Sequence, residues 1–590
     1  MTGASLTLVS AGGESVTTPW ADATTPVLRD EARIESNAWI KRLRLVPYGD
    51  VTMRERFTYR GDSLWWFTEL YLHKVRHLDT ALLTVLALDD ARARHAPARV
   101  VLAGADAPTA VAARAWGAAR GVAVELPGAA PLSLTDRRRE AAAVGWSAYA
   151  ARLLRRHARP APAAIAAFVH TAFWREQDTY VGPVLDAVTA RAGAGALRLV
   201  GVGPRRTFSG GGAGPGGDGA GGPVTAIESM TPLSALRGAL ALWRERHRLA
   251  ADVTRGDAIR AAARVHGVDL WPLLEQELRA TAMVQWTWSA RAMDEAGAAF
   301  DQLQPHTAVT YAEAGGVGRA MVLEARRRGI KSIGLQHGFI YRHWLNYLHE
   351  PDEFEVRGDD KGCPVPDHTL LFDGYAESHL RTAGHFPADR LLVTGSPRLD
   401  ALASKIRAVT PEIRTTTRNA VGARRPEQKL VLLAAKFSEI QHDLPALVAA
   451  VRAEPDIHLT IKAHPSESAD VYTPLVEGIY NITVAAADAD LATLLAASDA
   501  IVTKNSTVAI DGLVLGIPAV VIGLPNNLSP FVDAGVMVGD QGDAGQALRA
   551  VLYDQQVRAR LADATVAFVA THGLRASGSA AARAAEVIVQ

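Results

Sequence analysis

The chain has 590 residues, with 63 basic and 62 acidic side chains and a formal net charge of +1. That length predicts two to four domains with cores large enough to fold without disulfides. Apolar residues make up 48% of the chain, which excludes a wholly disordered protein. The balanced charge gives no electrostatic indication of nucleic-acid binding. The only cysteine, Cys363, excludes an intramolecular disulfide and a cysteine-cluster metal site, and it indicates a reducing compartment.

The N-terminal residues MTGASLTLVSAGGESVTT lack a basic stretch followed by an apolar core. We therefore expect no secretory signal and a cytoplasmic protein. The longest uncharged apolar run, 513–524, is broken by Gly516 and Pro518, so it predicts a buried helix-to-strand passage rather than a membrane span.

Short apolar runs alternate with helical patterns from about residue 80. Because such alternation is typical of parallel sheets covered on both faces, we predict one here. The predicted strands are 99–104, 122–126, 165–174 and 197–202. Nine glycines in 209–223 predict a flexible loop. The Ala-, Leu-, Arg- and Glu-rich stretch 226–300 predicts a helical insert.

The alternating pattern returns at 305 and continues to about 403, where we place the end of an N-terminal domain. The predicted strands are 307–311, 331–335, 368–372 and 390–393. A polar, basic linker is predicted at 404–428. A doubly wound open sheet is then predicted over 429–575, followed by an alanine-rich, helical tail at 576–590. The strands predicted for that sheet are 429–435, 457–462, 481–485, 499–503, 518–523 and 535–538.

Polar side chains gather where these C-terminal strands end, which is the edge where open α/β sheets bind ligands. The residues are Lys436, Ser438, Lys462, His464, Pro465, Lys504, Asn505, Ser506 and Thr507. The whole chain has nine lysines, and three of them lie in this set. One strand-end lysine would merely solvate the sheet edge. Three lysines beside a helix N-terminus predict a crevice for the phosphate or diphosphate of a nucleotide.

Two motifs sharpen that prediction. In Lys462-Ala-His464-Pro465, the proline ends the strand and fixes an imidazole that can hydrogen-bond a phosphate or protonate it as it leaves. Ser506 or Thr507 stands where a helix N-cap belongs and can cap the helix, bind phosphate, or both. Asp511, in the first turns of that helix, can take ribose hydroxyls; a solvated Asp511 is the alternative.

The N-terminal half also offers candidates at strand ends. Glu313 follows 307–311 and is a candidate base, and the residues Gln336, His337 and Gly338 follow 331–335. Ser396 and Arg398 follow 390–393; Arg398 either faces a cleft or pairs with Asp400. Aromatic rings beside charged groups suit a sugar acceptor, although a core aromatic cluster is the alternative. The candidate acceptor residues are Arg60, Trp65, Trp66, Glu69, Trp174 and Asp178. No metal-ligand spacing, GxSxG elbow or P-loop is present, and we expect no metal or other cofactor.

Four segments occur in the following order along the chain: Gln336-His-Gly338, VTGSPRLDAL at 393–402, KAHP at 462–465 and KNSTVAIDGLVLGIPAVVIG at 504–523. Together they resemble GT-B glycosyltransferases of bacterial surface polysaccharides. This group includes capsule Kdo transferases, His-Pro-motif sialyltransferases and CDP-glycerol glycerophosphotransferases. The resemblance covers about 305–555. It implies an α/β fold with two Rossmann-like, doubly wound domains facing a cleft, the donor nucleotide on the C-terminal domain and the acceptor on the N-terminal domain.

By this resemblance, His464, Ser506 and Thr507 hold the donor phosphate, Lys462 neutralises it, and metal is not required. The expected activity moves a sugar from a nucleotide-sugar to a glycan or lipid-linked acceptor. The favoured donor is a CMP-linked acidic sugar such as Kdo or sialic acid, and a UDP-sugar is the alternative donor. Glu313 is the first choice of base, His337 the second and Asp178 the third. A lipid-linked acceptor would fit peripheral association with the inner face of the membrane.

Three alternatives stay open. A polyol-phosphate transferase would use CDP-glycerol as its donor. A non-hydrolysing UDP-GlcNAc 2-epimerase would convert UDP-GlcNAc without an acceptor. It is disfavoured because such enzymes usually carry an acidic residue and Ser-Gly-Gly where this chain has Asn505-Ser506-Thr507. A sensor or scaffold would bind a nucleotide-sugar tightly and release no nucleotide.

Overall fold

The computed structural model describes residues 3–130, 159–170, 181–203, 224–311, 313–464, 467–486 and 488–590. The glycine-rich segment 209–223 therefore lies outside the described residues. Three sheets and three small hairpins carry the strands of the described residues, and all these strands are numbered β1 to β23 in chain order. Within the described ranges, no helix is both long and apolar enough to span a membrane.

A four-stranded sheet in the order β2-β1-β7-β8 lies near the N-terminus. Its strands are β1 Ser5–Val9, β2 Ser15–Pro19, β7 Arg99–Ala103 and β8 Ala123–Glu125. β1 pairs antiparallel with β2 and β7, whereas β7 and β8 run parallel. The alternation of the sequence suggested that β7 and β8 belong with the parallel strands that follow. They form a separate sheet instead, because the antiparallel strand β1 occupies the edge of β7.

Helices surround this sheet and form what we call the helical unit, residues 3–130 with 227–303. In its first part they are Trp20–Ala23, Pro26–Leu43, Met53–Arg56, Trp65–Val75, His77–His95 and Ala107–Arg120. In the segment predicted as a helical insert they are Arg237–Val253, Asp257–Ala262, Trp271–Ala280 and Trp286–Leu303, with 3₁₀ turns Ile227–Met230 and Leu233–Leu236 and a π turn Thr281–Gln285. Both parts share one apolar core, so the insert completes the helical unit.

Three two-residue hairpins belong to the same unit. They are β3 Pro47–Tyr48 with β4 Val51–Thr52, β5 Thr58–Tyr59 with β6 Asp62–Ser63, and β12 Arg264–Val265 with β13 Val268–Asp269.

A seven-stranded, wholly parallel sheet follows in the order β11-β10-β9-β14-β15-β16-β17. Its strands are β9 Ile165–His170, β10 Leu197–Val202, β11 Thr225–Ala226, β14 Thr307–Thr310, β15 Lys331–Leu335, β16 His368–Leu371 and β17 Leu391–Val393. Its helices are Gly182–Ala192, Gly316–Arg328 and Gly374–Thr382, with 3₁₀ turns Leu345–Tyr347, Pro351–Phe354 and Ala388–Arg390. The strand order reverses between β9 and β14.

A six-stranded, wholly parallel sheet in the order β20-β19-β18-β21-β22-β23 forms the C-terminal unit. Its strands are β18 Lys429–Ala435, β19 Ile457–Ala463, β20 Ile482–Val484, β21 Ala500–Thr503, β22 Ala519–Val521 and β23 Val538–Gly539. Its helices are Phe437–Ile440, Leu444–Arg452, Thr473–Val476, Leu491–Ala497, Val508–Val514, Ser529–Asp533, Ala544–Tyr553 and Gln555–His572, with a 3₁₀ turn Ala469–Val471. The predicted α/β class with doubly wound parallel sheets is confirmed.

The two parallel sheets are joined twice. Helices Pro397–Arg407 and Pro411–Ala420 cover much of the first connection, including part of the predicted linker. After Gln555–His572 the chain returns, and its last helix, Ala580–Val589, packs into the core of the seven-stranded sheet. The tail is therefore a structural part of that sheet, and it is fixed there by the hydrogen bond from Arg583 Nε to the Thr394 carbonyl at 2.8 Å.

Candidate functional site

The carboxyl ends of β18, β19 and β21 lie side by side in the six-stranded sheet. Lys436 follows β18, His464 follows β19, and the segment 504–507 follows β21. The strand order reverses between β18 and β21, and such a reversal opens a crevice at the carboxyl edge. The structure therefore brings together residues that the sequence placed at three separate strand ends.

The three lysines of this crevice have different surroundings. Lys504 Nζ lies 2.6 Å from Asp443 Oδ2 in an ion pair, and Lys462 Nζ donates to the Ala486 carbonyl at 3.2 Å. Lys436 is half-buried and has no side-chain hydrogen bond or ion pair with any residue the structure describes. His464 is exposed to solvent. Lys436 and His464 are thus the basic groups of the crevice most accessible to an anion.

The carboxylate of Glu467 is hydrogen-bonded to the loop that follows β18. Glu467 accepts hydrogen bonds from the Phe437 N–H at 2.6 Å and from Ser438 Oγ at 2.9 Å. Burial raises the pKa of Glu467, but these hydrogen bonds and the nearby His464 outweigh it and hold the pKa below its ordinary value. Ser438 is therefore engaged by Glu467, and it can contact a donor phosphate only after that carboxylate leaves.

The segment after β21 is ordered by its own hydrogen bonds. Ser506 Oγ accepts from the N–H of Val508, the first residue of the helix, at 3.3 Å. The Ser506 N–H donates to Thr503 Oγ1 at 3.1 Å, and Asn505 Oδ1 accepts from the Asn527 N–H at 3.1 Å. These bonds fix the turn in front of the helix N-terminus, whose N–H groups favour negative charge.

A pocket between the two parallel sheets encloses about 510 Å³, part of it open to solvent. Six residues predicted from the sequence line it: Gln336, Gly338, Ser396, Arg398, Thr507 and Asp511. The pocket also contains Asp373, Leu574 and Arg575, which sequence reasoning missed. Only the crossing of the chain after Gln555–His572 brings the last two there, so no local pattern could have revealed them.

Asp511 and Arg398 form an ion pair between the two sheets. Burial raises the pKa of Asp511, and the Arg398 guanidinium opposes that rise. Asp400, the alternative partner of Arg398, instead accepts from the N–H groups of Gly578 and Ala580. The carboxylate of Asp511 is buried and engaged by Arg398, so its binding of ribose hydroxyls stays a prediction.

The loop after β15 is tied to the next strand. The side chain of Gln336 accepts from the Phe372 N–H and donates to the Gly338 carbonyl, both at 2.8 Å. Burial lowers the pKa of His337 to about 4, against the effect of its hydrogen bond to the backbone of Tyr311. His337 is therefore neutral at pH 7 and packs edge-on to Trp344 with ring centroids 5.9 Å apart.

Glu313 is 3% exposed. Tyr347 Oη donates to its Oε1 at 2.7 Å, and Oε2 has no hydrogen-bond partner in the part of the chain that is described. Its side chain fits because residue 334 is glycine: a Cβ there would lie 2.9 Å from Glu313 Cγ. Burial raises the pKa of Glu313 to about 7, which the Tyr347 hydrogen bond opposes. That value suits a general base at neutral pH, but the carboxylate reaches an acceptor only if the surrounding loop opens.

The predicted acceptor residues lie elsewhere. Trp65 and Trp66 are 1% and 0% exposed in the core of the helical unit. Trp66 Nε1 donates to Asp360, and Arg60 pairs with Asp294 at 2.7 Å. Glu69, at 1% exposure, lies inside a buried charge cluster. The burial of Trp65, Trp66 and Glu69 contradicts the prediction that they form an acceptor surface, whereas Arg60 is exposed. Trp174, Asp178 and Pro465 lie outside the described residues.

The charge cluster around Glu69 was not predicted. Lys41 Nζ lies 2.8 Å from oxygens of both Glu69 and Glu353, and Arg319 contacts Glu69 at 2.7 Å. Burial lowers the pKa of Lys41, but the two carboxylates outweigh burial and the pKa lies above its ordinary value. His349 Nδ1 approaches Glu353 at 3.1 Å. The cluster joins the helical unit to the loop before β16.

Among the described residues, no three His, Cys, Asp or Glu side chains converge as a metal site requires. Independence from metal stays a prediction.

Residues 318–522 match the family model of the CDP-glycerol:poly(glycerophosphate) glycerophosphotransferases. The matched segment begins before β15 and ends just after β22, so it includes the ends of β15, β18, β19 and β21. Glu313, which follows β14, lies before it. No curated protein matches the chain.

Several solved structures are similar in fold. The UDP-GlcNAc 2-epimerase from Neisseria meningitidis, bound to UDP-GlcNAc, is 13% identical, with 72% of this chain and 98% of that chain covered and a TM-score of 0.41. A glycosyltransferase from Rickettsia africae is 11% identical, with 72% and 98% covered and a TM-score of 0.43. The wall teichoic acid polymerase TagF with CDPG is 11% identical, with 78% and 98% covered and a TM-score of 0.41.

The chain is thus a transferase enzyme, on the strength of the match of residues 318–522.

Proposed function

We propose that the chain transfers a polyol-phosphate unit from a CDP-glycerol-type donor to a hydroxyl group of a surface-polymer acceptor. The observation that carries this proposal is the match of residues 318–522 to the glycerophosphotransferase family. It favours the polyol-phosphate alternative over the CMP-linked acidic sugar that the His-Pro motif suggested. The absence from the chain of an acidic residue and Ser-Gly-Gly at 505–507 still disfavours the epimerase.

In this reaction an acceptor hydroxyl oxygen attacks the phosphorus that bears the glycerol. The bond from that phosphorus to the bridging oxygen breaks, CMP leaves, and the hydroxyl proton passes to a base. Because negative charge grows on the leaving phosphate, donors fixed nearby stabilise the transition state. The basic crevice formed by Lys436 and His464, beside the helix that begins after Thr507, supplies such donors. No step requires a group other than donor, acceptor and side chains.

The base has two candidates. Glu313 has a pKa of about 7 because of burial, so it is partly ionised at neutral pH. His337, with a pKa of about 4, is neutral but a weaker base. We assign the role to Glu313, which Tyr347 orients. Domain or loop opening must then admit the acceptor.

His464→Ala tests the role of the crevice. CMP release from CDP-glycerol should fall by about 10²- to 10³-fold, as expected for loss of a donor fixed beside the charge that develops on the leaving phosphate. Thermal unfolding should be unchanged, because His464 is exposed. The matched control is His95→Ala, also exposed, at the end of His77–His95. Near-normal turnover by His464→Ala would contradict its role.

The same assay separates the candidate reactions. We expect CMP release from CDP-glycerol and none from CMP-Kdo or CMP-sialic acid. Turnover of a CMP-sugar alone would restore the glycosyl-transfer alternative. Conversion of UDP-GlcNAc without an acceptor would favour the epimerase, and tight CDP binding with no release under any condition would favour a sensor.

A further inference from the structure

The helical unit has a cavity of its own, between helix Pro26–Leu43 and the hairpin of β12 and β13. The cavity encloses about 870 Å³, part of it open to solvent. Pockets that hold a small molecule usually have volumes of about 300–1,000 Å³. The lining residues come from 35–43 and 262–266, so the cavity lies outside the matched segment 318–522. The function proposed above makes no use of it.

The floor of this cavity is apolar where the helix and the hairpin meet. Trp39 is 2% exposed, and its Nε1 donates to the Ala262 carbonyl at 2.8 Å. Leu43 follows one turn later on the same face of the helix and is buried, and Val265 packs against the core from the hairpin. Because core packing already fixes these side chains, little conformational entropy is lost when a ligand binds against them.

The hairpin is held in place at its turn. The loop His266-Gly267 has φ values of 50° and 74°, the positive values that a type I′ turn requires. His266 Nε2 lies 2.6 Å from Glu35 Oε2 on the helix, and Arg120 donates to the His266 carbonyl at 2.9 Å. Arg120 is itself paired with Asp89 at 2.7 Å. The two walls are therefore bridged at the rim, and the cavity is formed without a ligand.

Two arginines line the cavity, Arg42 on the helix and Arg264 on the hairpin. Both are exposed, and neither has a hydrogen bond or ion pair with any residue that the structure describes. Among the described residues that line the cavity, Glu35 is the one carboxylate, and it is already bonded across the rim. Asp269, opposite Arg264 in the hairpin, instead accepts a backbone N–H of the following helix at 3.0 Å. The cavity thus presents unpaired positive charge from both walls.

The combination of charge and floor indicates the class of ligand. Guanidinium groups suit a phosphate or carboxylate, because each can donate two parallel hydrogen bonds to it. The indole of Trp39 and the side chain of Leu43 suit an apolar group. A membrane surface or a nucleic-acid backbone is less well matched, since Arg42 and Arg264 line a concave space with an apolar floor.

We propose that this cavity binds a small molecule in which a phosphate or carboxylate is joined to an apolar group. Arg42 and Arg264 bind the anionic group from the two walls, and Trp39 and Leu43 contact the apolar group. The site is separate from the donor crevice, and it does not depend on the reaction proposed above.

The test is calorimetric titration with phenyl phosphate and with benzoate, in the presence of CDP so that the donor crevice is occupied. Inorganic phosphate and benzyl alcohol serve as the two halves of the ligand. Arg42→Gln and Arg264→Gln each remove one charge, whereas Ala262→Leu narrows the cavity and keeps both charges. The matched control is Arg92→Gln, an exposed arginine of helix His77–His95.

We expect at least one of the two aromatic anions to bind the wild type at a single site, and both halves to bind more weakly. Each arginine variant should weaken that binding about tenfold or more, as expected for a lost hydrogen bond between charged groups. Ala262→Leu should weaken it as well, and Arg92→Gln should bind as the wild type does. Because Arg42 and Arg264 are exposed, thermal unfolding of their variants should be unchanged, which separates loss of the site from loss of the fold.

The absence of binding of both aromatic anions to the wild type would overturn the proposal. Equal binding by the wild type and both arginine variants would do the same. Inorganic phosphate or benzyl alcohol binding as tightly as the aromatic anions would overturn the class of ligand, because the floor or the arginines would then have no role. Binding of phenyl phosphate alone, or of benzoate alone, would support the proposal and identify the anionic group.

Discussion

The carboxyl group of Glu313 makes the stability of the fold depend on pH. Burial raises its pKa from 4.5 to about 7. One pKa unit corresponds to about 1.4 kcal/mol, so this difference is worth about 3 kcal/mol. Because the folded-state pKa is the higher one, the contribution is complete below about pH 4.5 and is lost as the pH rises through about 7. Glu313→Gln should remove that loss, since an amide does not ionise.

The assay compares thermal unfolding of the wild type and Glu313→Gln across the pH range from 4 to 8.5. About 3 kcal/mol in a unit of 150–250 residues corresponds to roughly 6–12 °C in Tm. We expect the Tm of the variant, relative to that of the wild type, to increase by that amount on going to high pH. Glu427→Gln, at an exposed carboxylate, should show no such trend. A pH-independent difference between Glu313→Gln and the wild type would refute the reasoning.

Two further predictions concern ion pairs. Lys41→Met leaves the buried carboxylates of Glu69 and Glu353 without their shared cation, so the free energy of unfolding should fall by about 3–5 kcal/mol in denaturant titrations. Lys405→Met at an exposed pair should change it by less than about 1 kcal/mol, and equal losses would contradict the role of burial. Asp511→Asn breaks the pair with Arg398, so small-angle scattering should show a larger radius of gyration. Asp499→Asn, which breaks the pair with Arg418 of helix Pro411–Ala420, should leave the radius unchanged. No change in either variant would mean that the pair between the two sheets does not restrain the cleft.

Much of the C-terminal unit was predictable because its signals are local. Apolar runs between helical patterns gave 429–435 for β18, 457–462 for β19 and 499–503 for β21, within one residue of the observed bounds. Each run is buried on both faces of a parallel sheet and therefore reads as continuous apolar sequence. The prediction that polar residues gather in a crevice at the strand ends followed from the same topology.

The rest of the fold and of the candidate site depends on contacts that the spacing of residues in the sequence does not reveal. Arg398 and Asp511 are 113 residues apart, and Arg319 and Glu69 are 250 apart. Aromatic rings beside charges look the same in sequence whether they bind a sugar or, like Trp66, lie in a core with buried partners.

The return of the last helix has a consequence for synthesis. Ala584, Ala585 and Ile588 pack against Ile165 and Val188, so the core of the seven-stranded sheet includes residues made long after its last strand. At about 5–20 residues per second, the ribosome needs roughly 10 to 35 s to pass from residue 403 to 580. Throughout that interval the part of this core that Ala580–Val589 covers stays open. The six-stranded sheet, complete within its own stretch of chain, can fold first, and the earlier sheet must wait for it.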